Sequence, residues 1–276
     1  VKAVIMAGGE GTRLRPLTST TPKPMLPIAN RPMMEHVIAL LKRHGFDEII
    51  VTVAFLSNAI KTYFDDGSEF GVTITYADEA VPLGTAGSVA NASAMLDERF
   101  LVISGDVITD VDLTAIWNFH ADQRAMATVG LTHVQDPLEF GIVITRQDGT
   151  IERFLEKPTW GQVFSDTINT GIYVLEPSIF AYIPSGKASD FSADVFPALL
   201  RAKERLYGAV VEGYWEDVGT LESYLTAHKD VLDRKVQLDV GGFQVNEGIW
   251  IGEGAEVSPD ADVSGPAVIG PGSKIE

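Results

Sequence analysis

The sequence has no cysteine. That excludes disulfides, thiolate nucleophiles and thiolate metal sites, and it agrees with a reducing cytoplasm. No apolar run approaches the ~18 residues of a membrane-spanning helix. No segment reads as a signal peptide, because turn residues follow the first apolar run directly. Positive charge is scarce: 21 Lys and Arg stand against 38 Asp and Glu in 276 residues, a formal net charge of −17. So anionic a chain repels nucleic acid and acidic membranes. The five histidines, His36, His44, His120, His133 and His228, lack metal-ligand spacing and read as non-catalytic. Gly-Lys-Ser/Thr is missing, so there is no Walker loop. In Gly9-Glu10-Gly11-Thr12-Arg13-Leu14, Leu14 stands where a dinucleotide fingerprint needs its third glycine.

Hydrophobic residues make up 45% and charged residues 21%, enough for a sizeable core in one large domain or two smaller ones. One stretch breaks the acidic rule. Between Gly11 and Met34 stand Arg13, Arg15, Lys23 and Arg31, and no acid. Gly8, Gly9 and Gly11 free the backbone just after the apolar run Val4–Ala7. Pro16, Pro22, Pro24, Pro27 and Pro32 forbid a continuous helix and predict an extended loop. A long cationic loop behind a buried strand is usually functional. Its chemistry points to a polyphosphate held by backbone N–H groups and by Arg and Lys.

Hydrophobic periodicity predicts alternating strands and helices. Met34–His44 reads as a helix capped by Gly45, Glu48–Phe55 as a strand, Asn58–Phe64 as a helix and Val72–Tyr76 as a strand. Ala86–Leu96 reads as a helix, Phe100–Ser104 as a buried strand, and Leu113–Ala121 as a helix capped by Asp112. This rhythm predicts an α/β fold: a doubly wound, mostly parallel, Rossmann-like sheet with ligands at its strands' carboxyl ends. Strand patterns at Ala127–Thr132, Gly141–Thr145, Thr150–Leu155 and Ile168–Leu175 predict an extension of that sheet for a second substrate. Leu221–Leu232 reads as a closing helix, so the first domain is placed at 1–235.

A different pattern begins near Ile251. Ile251, Val257, Val263, Ile269 and Ile275 stand six apart, and Ala255, Ala261, Ala267 and Ser273 recur four residues behind them. A hexapeptide period marks a left-handed parallel β-helix. Residues 241–276 are therefore expected to begin such a coil, and to be cut short of a longer chain, because repeats need about three copies and a cap.

The run G-G-x-G-T-R-L-x-P-L-T from Gly8, followed by P-K-P-M-L-P-I from Pro22, resembles the signature of the sugar-1-phosphate nucleotidyltransferases. The likeness recurs at Pro82–Gly87, Gly105-Asp106-Val107, Phe154–Pro158, Asn169-Thr170-Gly171 and Trp215–Thr220, and so covers about residues 1–235. It implies a GT-A-like nucleotidyltransferase fold, an NTP and a sugar 1-phosphate as partners, and Mg2+ as cofactor. In such chemistry a phosphate oxygen attacks the α-phosphorus and pyrophosphate leaves. The attacking oxygen is already ionised, so positioning and charge neutralisation carry catalysis, with no general base.

From the residues alone, Asp106 is either a ligand at a strand's carboxyl end or a turn aspartate. Asp217 is either a ligand or an acid at a helix N-terminus. The resemblance implies that both bind Mg2+. It also implies that Arg13 and Lys23 contact the triphosphate and the sugar phosphate. Gly8, Gly9, Gly11, Thr12, Gly84, Thr85 and Ala86 are then nucleotide-binding, and Gly141, Glu156, Lys157, Asn169 and Gly171 form the sugar end. Arg15 and Arg31 read as solvated, and Asp110, Asp112 and Glu216 as caps or surface. Trp117, Trp160, Trp215 and Trp250 read as core or interface. The combined motifs look most like mannose-1-phosphate guanylyltransferases. Thymidylyltransferases more often carry Asn where Val107 stands, and a uridylyl or adenylyl enzyme for glucose 1-phosphate remains an alternative. So does a non-catalytic sugar-nucleotide sensor, although such a subunit would have lost charge at Arg13, Lys23, Asp106 or Asp217, and all four are present. A homo-oligomer in the cytoplasm is expected.

Overall fold

The structure is a computed structural model and describes residues 1–134, 141–155 and 166–276. Strand β1 (Lys2–Met6) leads into the cationic loop, which closes on a small hairpin of β2 (Pro27–Ile28) and β3 (Arg31–Pro32). Then come α1 (Met33–Arg43), β4 (Glu48–Val53), α2 (Ser57–Phe64), β5 (Thr73–Asp78), α3 (Gly84–Asn91), β6 (Phe100–Ser104), β7 (Val107–Thr109) and α4 (Leu113–Gln123). The order continues with β8 (Ala127–His133), β9 (Ile142–Thr145), β10 (Ile151–Leu155), β11 (Thr167–Leu175), α5 (Phe196–Ala202), β12 (Leu206–Val210), β13 (Trp215–Asp217) and α6 (Leu221–Leu232). Short strands follow: β14 (Phe243–Asn246), β15 (Ile249–Ile251), β16 (Glu256–Val257), β17 (Ala267–Ile269) and β18 (Lys274–Ile275).

Parity decides how the central strands pack. Ala3 and Ile5 of β1 enter one apolar cluster with Leu101 and Ile103 of β6, while Val4 joins Phe100 and Val102 in the other. Alternate side chains point to opposite faces, so a strand apolar at every position must be covered on both. Helices supply the cover. Val37, Ile38 and Leu41 of α1, Ile60 of α2 and Ile116 of α4 close one face; Ala86 and Val89 of α3 and Leu199 of α5 close the other. The sheet is thus doubly wound, as its pattern predicts.

Strands β6, β1, β4 and β5 lie parallel, in that order. The reading of a mostly parallel sheet holds for this half. Beyond β6 the sheet is mixed: β11 runs antiparallel to β6, β8 and β9, whereas β12 is parallel to β8. The strand-rich patterns after residue 125 extend the same sheet, as expected. Among the described residues no helix is long and apolar enough to cross a membrane.

Local chemistry sets the helix ends. Gly45, at φ +79°, donates its N–H to Lys42 O at 3.0 Å and ends α1. The Asp112 side chain accepts the Ala115 N–H at 3.0 Å and starts α4. Two expectations need correction. The cationic loop is not simply extended but folds as 3-10 turns at Thr12–Leu14, Leu17–Ser19 and Lys23–Met25. Proline's fixed φ suits a 3-10 turn as well as an extended chain, so prolines alone cannot choose between them. Helix α3 begins at Gly84 rather than Ala86, because Ser189 O accepts the N–H groups of Ala86 and Gly87 at 3.0 and 3.1 Å and satisfies its first turn. It also stops at Asn91, and Ser93–Met95 is a separate 3-10 turn.

A third apolar cluster lies under the loop. It gathers Leu14, Leu26 and Ile28 with Ile108, Val218, Val231, Val236 and Val240. The passage from α6 to the C-terminal strands is therefore not a free linker. Further on, β15 and β17 pair in parallel with Ile251 opposite Ile269, and β16 and β18 pair with Val257 opposite Ile275. Each pair stands eighteen residues apart, or three hexads.

Candidate active site

Strand β6 ends at Ser104, and Gly105–Asp106 turn directly into β7. A Cβ on Gly105 would lie 3.0 Å from Ile5 Cγ2 and 3.2 Å from Met6 O, so a glycine lets the turn sit against β1. Asp106 is thereby held at the carboxyl end of a central strand, where open α/β sheets bind ligands. Strand β7 pairs antiparallel with β13, with Val107 opposite Asp217. The pairing brings together two carboxylates that are far apart in sequence.

Lys23 stands between them. Its Nζ is 2.5 Å from Asp106 Oδ2 and 3.5 Å from Asp217 Oδ1. The Ser104 hydroxyl donates to the other Asp106 oxygen. The Lys23 stem packs on Gly11, whose φ is +60°; a Cβ there would meet Lys23 Cβ and Thr18 Cγ2, each at 3.0 Å. Glycine at position 11 is required twice, by conformation and by contact. Thr18 Oγ1 donates to Gly11 O at 2.7 Å and fixes the turn. Arg13 is exposed, and its guanidinium lies beside Asp217: a Cβ on Gly219 would come within 3.1 Å of both Arg13 Nη2 and Asp217 Oδ2.

The charges are mutually dependent. Burial opposes ionisation of Asp106, but the Lys23 ammonium and the Ser104 hydroxyl outweigh it and hold the carboxyl below its ordinary range. Asp217 goes the other way: burial and the Asp106 charge push it up despite Lys23 and Arg13. Burial disfavours the charged Lys23 side chain, yet the two aspartates keep its pKa above the usual value. Glu216 is half-buried rather than surface, and burial with the Asp217 and Asp230 charges pushes it up to about 7. Two carboxylates thus share the Lys23 ammonium at one point. A hard divalent cation held by one or two carboxylates, with water and substrate phosphates completing its shell, fits this oxygen donor set. Among the described residues no group of three or more His, Cys, Asp or Glu gathers as a metal site, here or elsewhere.

A cavity of about 390 Å³ opens beside Asp106, lined by Gly8, Gly9, Glu10, Glu79, Pro82, Leu83, Gly84, Thr85, Ser88 and Ser104 among others. The glycine turn and the small-residue strip thus face one space. Gly84 has φ +71°, and a Cβ there would lie 2.6 Å from Ser189 O. Thr85 Oγ1 donates to Asp190 Oδ2 at 2.7 Å and accepts the Phe191 N–H at 3.0 Å, tying the strip to the loop before α5. Ala86 is fully buried behind it. Thr12 is exposed at the start of its turn, and a Cβ on Gly9 would meet nothing within 4 Å.

The residues read as the sugar end gather only in part. Asn169 N–H donates to Gly141 O at 3.1 Å. The Asn169 side chain is committed internally, donating to Tyr173 Oη and Ser192 Oγ at 3.0 and 2.9 Å and accepting the Gly171 N–H at 2.9 Å. Gly171, at φ +74°, sits against Ser104 Cβ, beside the Asp106 strand. Glu156 and Lys157 lie outside the described residues. Arg31 belongs elsewhere. It pairs with Asp239 at 3.1 Å and Glu35 at 3.6 Å, beside a separate cavity of about 440 Å³ on α1 that shares no residue with the first.

Sequence reading missed Glu79. Its Oε2 accepts the Leu83 N–H at 3.1 Å, while Oε1, buried beside Gly8, has no hydrogen-bond partner among the described residues. The available signal was an acid between a strand and the small-residue strip. Asp110 was read as cap or surface, yet it accepts two backbone N–H groups from distant segments.

The nucleotidyl transferase family pattern matches residues 2–234. A UTP–glucose-1-phosphate uridylyltransferase of Synechocystis sp. is 37% identical over 292 residues, covering 100% of this chain and 75% of that relative. A mannose-1-phosphate guanylyltransferase of Mycobacterium tuberculosis is 37% identical over 281 residues, covering 100% and 76%. Among solved structures, a putative glucose-1-phosphate thymidylyltransferase from Bacillus anthracis, in complex with a sucrose, superposes with a TM-score of 0.75 at 29% identity, covering 82% of this chain and 93% of that one.

Proposed function

The chain belongs to the nucleotidyl transferase family and is a sugar-1-phosphate nucleotidyltransferase; from that premise we propose that it joins GTP and mannose 1-phosphate to give GDP-mannose and pyrophosphate. The observation that carries the choice of base is Glu79. Guanine presents two adjacent donor groups, N1–H and N2–H2, which a carboxylate accepts together, whereas uracil and adenine present no such pair to it. Glu79 lines the nucleotide cavity while its Oε1 lies buried without a partner among the described residues, so a turn of this side chain would present a free carboxylate oxygen to the guanine edge. Similarity to guanylyltransferases across several organisms supports the same choice.

In this reading the glycine turn wraps the triphosphate with backbone N–H groups, and Arg13 neutralises charge that develops on the transferred phosphoryl group. Lys23 holds the two aspartates together and offers its ammonium to substrate phosphate. Asp106 and Asp217 would hold Mg2+, which supplies charge neutralisation on the triphosphate when bound. Gly141, Asn169 and Gly171 shape the sugar end. Residues 241–276 are read as one coil of a parallel β-helix, supported by pairing at eighteen-residue spacing. A cytoplasmic setting suits a cysteine-free enzyme that consumes NTP.

Pyrophosphate release across the four common triphosphates, each with mannose 1-phosphate and glucose 1-phosphate, tests the proposal. GTP with mannose 1-phosphate is expected to give the highest kcat/KM, and a higher value for UTP with glucose 1-phosphate overturns it. Glu79→Gln should lower kcat/KM for GTP by about 10- to 100-fold, the loss of one charge-assisted hydrogen bond.

A further inference from the structure

Asp110 follows β7 by one residue and joins three segments. Its Oδ1 accepts the Tyr214 N–H and its Oδ2 the Gln237 N–H, both at 2.7 Å. Its own N–H donates to Tyr214 O at 3.2 Å, and the Thr109 hydroxyl donates to the same carbonyl at 2.7 Å. Gly213, at φ +125°, permits the approach, since a Cβ there would lie 2.9 Å from Asp110 Oδ1. Tyr214 is held a second time, by its hydroxyl donating to Asp230 Oδ2 at 3.0 Å. Every polar group of the Tyr214 backbone is thus tied to the end of β7.

Tyr214 leads directly into β13, which has three residues and, among the described residues, pairs only with β7. So short a two-stranded ribbon has little stability of its own, and a slip of one residue would turn Asp217 to the opposite face. Asp217 is its last residue, and Val107, opposite, adjoins Asp106. We infer that Asp110 is a positioning residue: by clamping Tyr214 to β7 it fixes the register of β13 and so sets Asp217 against Asp106 and Lys23. The bond to Gln237 fastens the segment behind α6 to the same point. A half-buried carboxylate with both oxygens on backbone N–H groups is well suited to this, because such bonds are charge-assisted and directional. The inference rests on reading Asp106 and Asp217 as the paired carboxylates of the transfer site.

Asp110→Ala is compared with the parent chain well below both melting temperatures. Hydrogen exchange in the peptide covering Tyr214–Asp217 is expected to quicken. The turnover number kcat should fall between about 10- and 100-fold, the scale of a small misplacement of reacting groups. The Mg2+ concentration for half-maximal rate should rise while KM for the sugar phosphate holds. Asp110→Asn keeps one accepting oxygen and should fall between the two; it carries the test if the alanine variant does not fold. Parental kcat, metal requirement and exchange in a folded variant overturn the inference, since a merely structural role would lower the melting temperature alone. Asp217→Asn separates the two claims. If it keeps parental turnover, the reading of the paired carboxylates fails; if it is inactive while Asp110→Ala is parental, only the positioning role fails.

Discussion

The loop from Gly11 to Met34 and the segment from Ile249 to Ile275, proposed above as a coil, meet the same apolar cluster, and they are organised in opposite ways. The loop sinks Leu14 and Ile28 to full burial and carries Lys23 inward with them at 7% exposure. Nothing in it repeats, and its defining contacts reach Asp106 and Asp217. The coil stays shallow. Ile249 and Ile269 are its deepest side chains, at 7% and 9% exposure, while Trp250 and Val268 only rest on the cluster. Its contacts recur at one fixed spacing. Where they touch, the link is peripheral: Asn30 Nδ2 donates to Val268 O at 3.4 Å. A buried, irregular loop concentrates chemistry, and a shallow, periodic coil concentrates shape.

If that division is right, the largest effects come from the loop's partners. Asp106→Asn or Asp217→Asn should lower kcat by about 10²-fold or more, because each leaves triphosphate charge unneutralised. Near-parental turnover in both at saturating Mg2+, measured by pyrophosphate release, would break the comparison at its centre.

Two arginines of the same loop sharpen it. Arg13→Ala should reduce kcat by about 10²-fold, since its guanidinium stands beside Asp217. Arg31 faces the segment leading to the coil, in an exposed pair of the kind worth about 0–1 kcal/mol. Its alanine variant should keep turnover and melt only slightly earlier. Equal kinetic losses in the two variants would mean that the loop acts as a diffuse electrostatic field.

The smallest kinetic effect is expected from β14, the edge strand that pairs antiparallel with β15. Phe243 and Val245 are 72% and 51% exposed on β14, an apolar edge of the kind that invites association. Light scattering should find a dimer or larger, and the double substitution Phe243→Ser, Val245→Ser should give a monomer with kcat unchanged. A parent chain that is already monomeric refutes the assembly role and leaves the catalytic assignments standing.

Several elements were legible because their signals are local. The parallel, doubly wound character of the first half follows from apolar strands alternating with amphipathic helices, and the α1 and α4 ends from Gly45 and Asp112. The loop's 3-10 turns were not legible, because proline permits two conformations and packing of Leu14 and Leu26 selects one. Glu79 escaped notice, and Asp110 was read as cap or surface, for a related reason. Each is an ordinary acid in sequence, distinguished only by which backbone groups come to meet it.

The sequence by itself determined the chemistry and the periods: which segment is cationic, which glycines stand where a backbone must turn, where six-residue spacing begins. Those properties belong to neighbouring residues and survive without a fold. Only the tertiary structure decided that Lys23 stands between Asp106 and Asp217, that Asn169 is already committed, and that Arg31 faces away from the site. Each depends on segments far apart in the chain meeting in one register, and that register comes from the β7–β13 pairing and the cluster beneath it.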